Sequence, residues 1–164
     1  MTAPLTSARS LPAAAVSGAT IASPFWGILP PEFIDRIKDF FSYSVRFLPL
    51  ASSGTLAGNF TVNNDSGFLL GGINVLALNA AGTIVIPTSD ILALILLTDS
   101  GSGREIMSDA IPVGSLCGTG QRQGLLYWPK FVPPASTVKV TVTSLDVTNA
   151  QNLYFSFFGF KVFK

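Results

Sequence analysis

Histidine does not occur in these 164 residues, cysteine occurs once, and only 12% of the residues are charged. Each shortage removes a class of function. Without histidine there is no Ser-His or Cys-His pair to activate a nucleophile. Without histidine or a second cysteine, the usual zinc ligand sets are missing and no metal site is expected. Cys117 has no partner for an internal disulfide, and with no base beside it it reads as a small apolar core residue. Ten Lys and Arg against nine Asp and Glu leave a net charge of +1, spread along the chain. No basic stripe exists to grip phosphates, so no specific nucleic-acid partner is expected.

Long apolar runs are missing as well, although 48% of the residues are hydrophobic and the mean hydropathy is +0.51. The longest stretches, 68–78 and 91–97, are too short to span a bilayer, so no membrane partner is expected. High hydropathy with little charge then points to a protein whose outside is covered by other protein copies. The length suits one domain with a core of its own.

What is present is mostly β-pattern. Val138, Val140 and Val142 alternate with Lys139, Thr141 and Thr143, the period-two signature of a strand with one buried and one wet face. A polar break follows, and then a run in which Leu153, Phe155, Phe157, Gly159, Lys161 and Phe163 point one way and Tyr154, Ser156, Phe158, Phe160 and Val162 the other. Both faces are largely apolar, which places this strand mid-sheet with the core on one side and a second layer on the other. Upstream, Tyr43, Val45 and Phe47 alternate, as do Leu56, Phe60 and Val62. Residues 68–78 carry Gly71-Gly72 as a bulge or break, 83–86 follow a turn, and 91–97 read as a second buried strand. Seven or eight short strands between Gly, Pro and Asn turns predict a mainly β chain, an antiparallel β-sandwich or jelly roll.

Residues 1–29 are expected to be an extended N-terminal arm ahead of a sandwich domain at 30–164. A secretory signal is the rival reading of the start, weakened by Pro12 and Ser17 within the apolar part. Leu5, Leu11, Val16, Ile21, Phe25 and Trp26 sit along the arm as isolated anchors suited to a neighbouring subunit. One short helix is expected at 31–41, because Pro30 and Pro31 suit a first turn and Phe33, Ile34, Ile37, Phe40 and Phe41 make an apolar stripe at helical spacing. Between 99 and 136 the regular period fades, and this segment reads as contact loops.

Motifs for chemistry are thin. The glycine cluster from Gly114 through Gly118 to Gly120 lacks the lysine and Ser/Thr of a P-loop and the spacing of a dinucleotide fingerprint, so no cofactor is expected. Asp90, Asp99, Glu105 and Asp109 lie close in sequence, and a glycosidase needs only two acids at a set separation. Asp99-Ser-Gly-Ser-Gly is ordinary turn chemistry, however, and Arg104 beside Glu105 suggests local pairing. The sequons Asn59-Phe-Thr61 and Asn64-Asp-Ser66 read as strand-end and turn residues. Tyr127, Trp128, Phe131 and Tyr154 fit a sugar-stacking platform, with packing in a core or interface the stronger reading.

The stretch Asp99-Ser-Gly-Ser-Gly-Arg104-Glu105, the Gly118-Thr-Gly120 turn, the Pro-x-Phe-x-Pro-Pro of 129–134 and the closing Phe158-Gly-Phe-Lys together resemble small structural proteins of tailed-bacteriophage virions. That resemblance implies a non-enzymatic β-sandwich located in the virion. Its implied role is a capsid cement or decoration protein that binds across shell subunits and stabilises the head. A tail or connector component, or a carbohydrate-binding sandwich of a receptor-binding appendage, is the alternative. The implied partners are copies of itself and other virion proteins, chiefly the major capsid protein. Subunit contacts are expected at the arm anchors and at Tyr127, Trp128, Phe131, Phe158 and Phe160.

Overall fold

The computed structural model describes residues 22–23, 27–28, 36–100, 106–119 and 121–163, with the backbone alone at 22–23, 27–28, 37–38 and 127–128. Two short strands, β1 (Ala22–Ser23) and β2 (Gly27–Ile28), pair with each other. The domain is built from β3 (Ile37–Leu50), β4 (Thr55–Thr61), β5 (Ser66–Asn79), β6 (Val85–Ile86), β7 (Ala93–Asp99), β8 (Ile111–Pro112), β9 (Leu125–Val132), β10 (Thr137–Ser144) and β11 (Gln151–Phe163). A four-residue helix, α1 (Val113–Leu116), follows β8.

Among the described residues of the domain, with the two-residue β6 set aside, eight strands remain, and they pair like one long folded hairpin. The first lies against the last (β3 with β11), the second against the seventh (β4 with β10), the third against the sixth (β5 with β9) and the fourth against the fifth (β7 with β8), all antiparallel. Two further ladders, β11 with β5 and β10 with β7, join these pairs into sheets ordered β3-β11-β5-β9 and β4-β10-β7-β8. That order is the jelly roll, as the strand pattern predicts. Because all but β7 and β8 of these successive strands switch sheets, the connections gather at two ends. At one end the 51–54, 80–92 and 145–150 loops meet, with Ser53 N donating to Asp146 O at 2.8 Å and Leu145 N to Leu92 O at 2.7 Å. At the other, Val62 N donates to Ser136 O and Ser100 N to Thr137 O, both at 2.9 Å.

The core is the space between the sheets. Val138, Val140 and Val142 of β10 are fully buried, as their alternation requires, and face Phe155 and Phe157 of β11 within one cluster. Burying each such side chain is worth roughly 1.5–3 kcal/mol. β11 lies between β3 and β5 and β10 between β4 and β7, so the two strongest sequence patterns occupy central strands.

The far side of the larger sheet carries apolar side chains too, as the two-faced run of β11 requires. Residues directly opposite one another on paired strands share a face. Phe160 pairs with both Phe40 and Leu69, and Leu69 also pairs with Phe131. Leu69 and Phe158 are buried on this side, although neither belongs to the core between the sheets. Gly71 is the extra residue of a bulge in β5, where Phe158 pairs with Gly72 but Gly159 with Leu70.

Two expectations are corrected. From Ile37 onward the segment expected to be helix at 31–41 is strand, while 31–35 lie outside the described residues. Phe40 and Phe41 fit either period, and pairing with β11 decides between them. Phe41 packs inward beside Tyr43 (ring centroids 4.9 Å apart) while Phe40 stands out at 63% exposure. Tertiary pairing overrides a helical stripe of residues that also favour strands. The loop-like 99–136 segment also holds regular structure, namely β8, α1 and β9. Pro129 interrupts the β9 signal, and it is tolerated because β9 ends the sheet path beside β5. Among the described residues no helix is long and apolar enough to cross a membrane.

Candidate functional site

Of the expected contact residues, Leu5, Leu11, Val16, Ile21, Phe25 and Trp26, and the side chains of Tyr127 and Trp128, lie outside the described residues. Phe131, Phe158 and Phe160 come together on the outer face of the larger sheet. Phe40 joins them, its ring 5.8 Å from Phe160 in a T-shaped pair and 6.4 Å from Phe158. Phe158 is buried, Phe160 half-buried and Phe131 37% exposed. Nearby on the same face, Ser44, Arg46, Asn74, Leu76, Tyr154 and Ser156 line a shallow groove of about 380 Å³.

The acidic residues scatter. About 20 Å of strand separates Asp90, just before β7, from Asp99 at its end. Asp109 is exposed before β8, and Glu105 lies outside the described residues. Among the described residues no three His, Cys, Asp or Glu side chains group as a metal cage. Cys117 follows α1, buried in the core, and burial pushes its thiol up to about 12. It should therefore stay unmodified by a thiol reagent at pH 8 in the folded protein and react at once in denaturant, as mass spectrometry would record.

A carboxylate that the sequence pattern did not single out does organise a site. Asp146, at the turn between β10 and β11, accepts at Oδ1 from Thr148 N (2.8 Å), Thr148 Oγ1 (2.9 Å) and Asn149 N (2.9 Å). Its Oδ2 accepts from Asn149 Nδ2 at 3.3 Å and weakly from Gln151 Nε2 at 3.5 Å. These donors, the backbone N–H groups first, hold its carboxyl well below the usual carboxylate range, so it is ionised at neutral pH. The turn's stabilisation is present above the ordinary carboxylate pKa and is lost only as the pH falls toward the depressed folded value.

Opposite this turn, Asn79 closes the end of β5. Its Oδ1 accepts from Thr83 N at 2.8 Å and Ile84 N at 3.2 Å, while Asn152 Nδ2 donates to Asn79 O and Ala80 O, both at 3.2 Å. Between the two turns lies a cavity of about 580 Å³ whose lining includes Asn79, Asp90, Asp146, Thr148, Asn149 and Gln151. Gln151 is 3% exposed, and its Oε1 is buried with no hydrogen-bond partner among the described residues. An unsatisfied buried oxygen of this kind costs about 1–3 kcal/mol.

No family model, curated protein or solved structure matches this chain.

Around the same loop end stands a group of apolar side chains. Ile84 (64%), Val85 (63%), Leu92 (52%), Leu145 (51%) and Val147 (76%) are exposed on the 80–92 and 145–150 connections, which meet through the Leu145–Leu92 backbone bond. The outer face of the smaller sheet is nearly free of charge. Thr55 pairs with Thr143 and Thr61 with Thr137 through hydroxyl contacts of 3.0 Å, and Lys139 is the one charged residue on that face of β10. Asn59 of the first sequon is exposed on β4, whereas Ser66 of the second is buried.

Proposed function

We propose that this chain is a non-enzymatic structural component of a virion, working as a capsid cement or decoration protein that lies across shell subunits and stabilises the head. The observation that carries the reading is the apolar loop end formed by Ile84, Val85, Leu92, Leu145 and Val147. Exposed apolar side chains gathered at one end of a domain mark a contact site. Transferring a half-exposed Leu, Ile or Val into an interface gains on the order of 1 kcal/mol each. Repeated over many copies, such contacts raise the number that must break before a pressurised head opens. Sparse charge fits the same reading, because apolar contacts are not screened by salt.

The test is location on the particle and its dependence on the loop end. Antibody raised against the chain should decorate virion heads in a regular array under the electron microscope. Label confined to tails would replace the cement role with a tail or connector role, and absence of label would overturn the virion reading. Leu145→Asp combined with Val147→Asp should reduce copies bound per head at least roughly tenfold. Both side chains are exposed, so the melting temperature should move by less than about 3 °C.

A further inference from the structure

Sheet edges are where unpaired main-chain N–H and C=O groups collect, and proteins blunt them with charge, proline or short length. Among the described residues the larger sheet ends at β3 on one side and at β6 and β9, both beside β5, on the other, while the smaller sheet ends at β4 and β8. All of these except β4 are blunted. β3 carries Lys38, Asp39, Arg46 and Pro49, and β9 carries Pro129 and Lys130. β6 and β8 are two residues long, with Pro87 just after the one and Pro112 ending the other. β4 has seven residues and neither a charge nor a proline. Its open side can be read group by group. Ser144 N donates to Gly54 O at 2.8 Å and Val62 N to Ser136 O at 2.9 Å, so the even-numbered residues turn their main chain toward β10. These groups alternate along an antiparallel strand, and Thr55, Ala57, Asn59 and Thr61 therefore turn theirs to the open side. All four are exposed. Leu56 shares the inward face with Val142 opposite it, yet it is 40% exposed, because no further strand among the described residues covers it.

We propose that β4 pairs with β4 of a second copy of this chain, antiparallel across a two-fold axis at Gly58, so that two four-stranded sheets become one continuous sheet. The strand's own sequence selects this occupant. Opposite residues must share a face, and the register centred on Gly58 is the one that keeps all seven residues paired. It makes the four outward-turned residues the hydrogen-bonded ones, with roughly eight main-chain bonds at two per pair. Thr55 stands opposite the partner's Thr61, and Thr61 opposite the partner's Thr55. Within one copy Thr61 already meets Thr137, and Thr55 meets Thr143, through hydroxyls 3.0 Å apart, so the threonine row of one copy runs on into the other. Such Thr–Thr pairs favour strand pairing. At the centre glycine faces glycine, and no side chain holds the backbones apart. On the inward face Leu56 lies against the partner's Phe60, which covers its exposed surface. An unrelated strand could satisfy the same backbone groups, but the matched threonines and the glycine centre are supplied by β4 itself. A two-fold contact of this kind closes on itself and leaves β4 no free edge. It uses a different surface from the apolar loop end, so it stands whether or not the chain sits on a capsid.

The experiment is sedimentation equilibrium on the full chain, which should be a dimer at about 100 μM. Thr55→Lys combined with Thr61→Lys sets lysine against lysine at both ends of the junction and should weaken dimerisation at least roughly tenfold. Thr55→Glu combined with Thr61→Lys sets opposite charges against each other in this register and should keep association within about threefold of the unmodified chain. Asn59→Pro deletes an N–H that turns to the open side, where proline is tolerated in an edge strand, and it should abolish the dimer. Thr55 and Thr61 are exposed, so the lysine pair should move the melting temperature by less than about 3 °C at a dilution where the chain is monomeric. A monomer at up to about 1 mM would overturn the proposal and leave the edge to a segment of the same chain or to another protein. A dimer unmoved by both Asn59→Pro and the lysine pair would overturn it too, as would one weakened equally by the two charge pairs.

Discussion

Phe157→Ala should lower the unfolding free energy by about 3–5 kcal/mol, seen as a lower denaturant midpoint at unchanged slope. The ring is fully buried and ties the sheets together. It lies on β11 of the larger sheet, 5.0 Å from the ring of Phe60 on β4 of the smaller one and 6.3 Å from Phe155 beside it. Truncation would leave a cavity between two sheets, and neither can move inward without disturbing the other. Phe155→Ala should behave alike, since that ring packs edge-on against Phe47 at 5.8 Å within the same core. On the outer face the response should differ. Phe160→Ala removes a half-buried ring whose neighbour Phe40 is itself exposed, and it should cost less than about 1 kcal/mol. Phe158→Ala should fall between, because its ring is buried over Gly72. Equal destabilisation by Phe157→Ala and Phe160→Ala would refute two layers of different depth.

The second large effect is expected at a glycine. Gly118→Ala should destabilise the fold by about 3 kcal/mol or more, and Gly124→Ala similarly, measured by the same titration. Between β9 and β6 the edge of β5 is satisfied by these two residues. Gly118 N donates to Ile73 O at 2.9 Å, Val75 N to Gly118 O at 2.8 Å and Ile73 N to Gly124 O at 2.8 Å, and Asn74 Oδ1 accepts from Gly124 N at 3.1 Å. The two backbones approach so closely that a Cβ at Gly118 would overlap Gly124 N and Arg122 O, and one at Gly124 would overlap Gly118 N. The obstructing atoms are main chain and cannot swing aside, so relief requires breaking the bonds that hold the edge. Gly114→Ala is the control. Its Cβ would come no nearer than 3.1 Å to Thr88 O, and it sits in α1, where alanine is favoured. A Gly118→Ala variant as stable as Gly114→Ala would show that this contact is not needed.

Much of the fold was legible because period-two patterning acts locally. The valines of β10, the two-faced run of β11 and the apolar run at 91–97 declared themselves as strands, and Gly71-Gly72 announced a bulge or break. The reading failed where two periods fit the same residues, as at 37–41, and where Pro129 hid an outer strand. The Gly118 cluster was visible as a turn, but its partnership with Gly124 across β5 was not. The loop-end cavity was missed for a related reason. Asp146, Asn149 and Gln151 are near in sequence and could have been noticed as an Asp-x-x-Asn-x-Gln run, whereas Asp90 and Asn79 come from connections more than fifty residues earlier.

By itself the sequence determined the chemistry available and the class of fold. With no histidine and one cysteine it ruled out the common nucleophilic pairs and an internal disulfide, and its alternating apolar residues demanded sheets with buried faces. Only the tertiary structure decided which strands became neighbours, and so which of two permitted periods 37–41 adopts, how deep each phenylalanine of β11 lies, and that two turns face each other across a cavity lined by Asp90, Asp146 and Gln151. The physical reason is that patterning fixes the direction of a side chain relative to its own backbone. Its neighbours, its solvent exposure and the partners of its polar atoms are set by which distant strand pairs beside it.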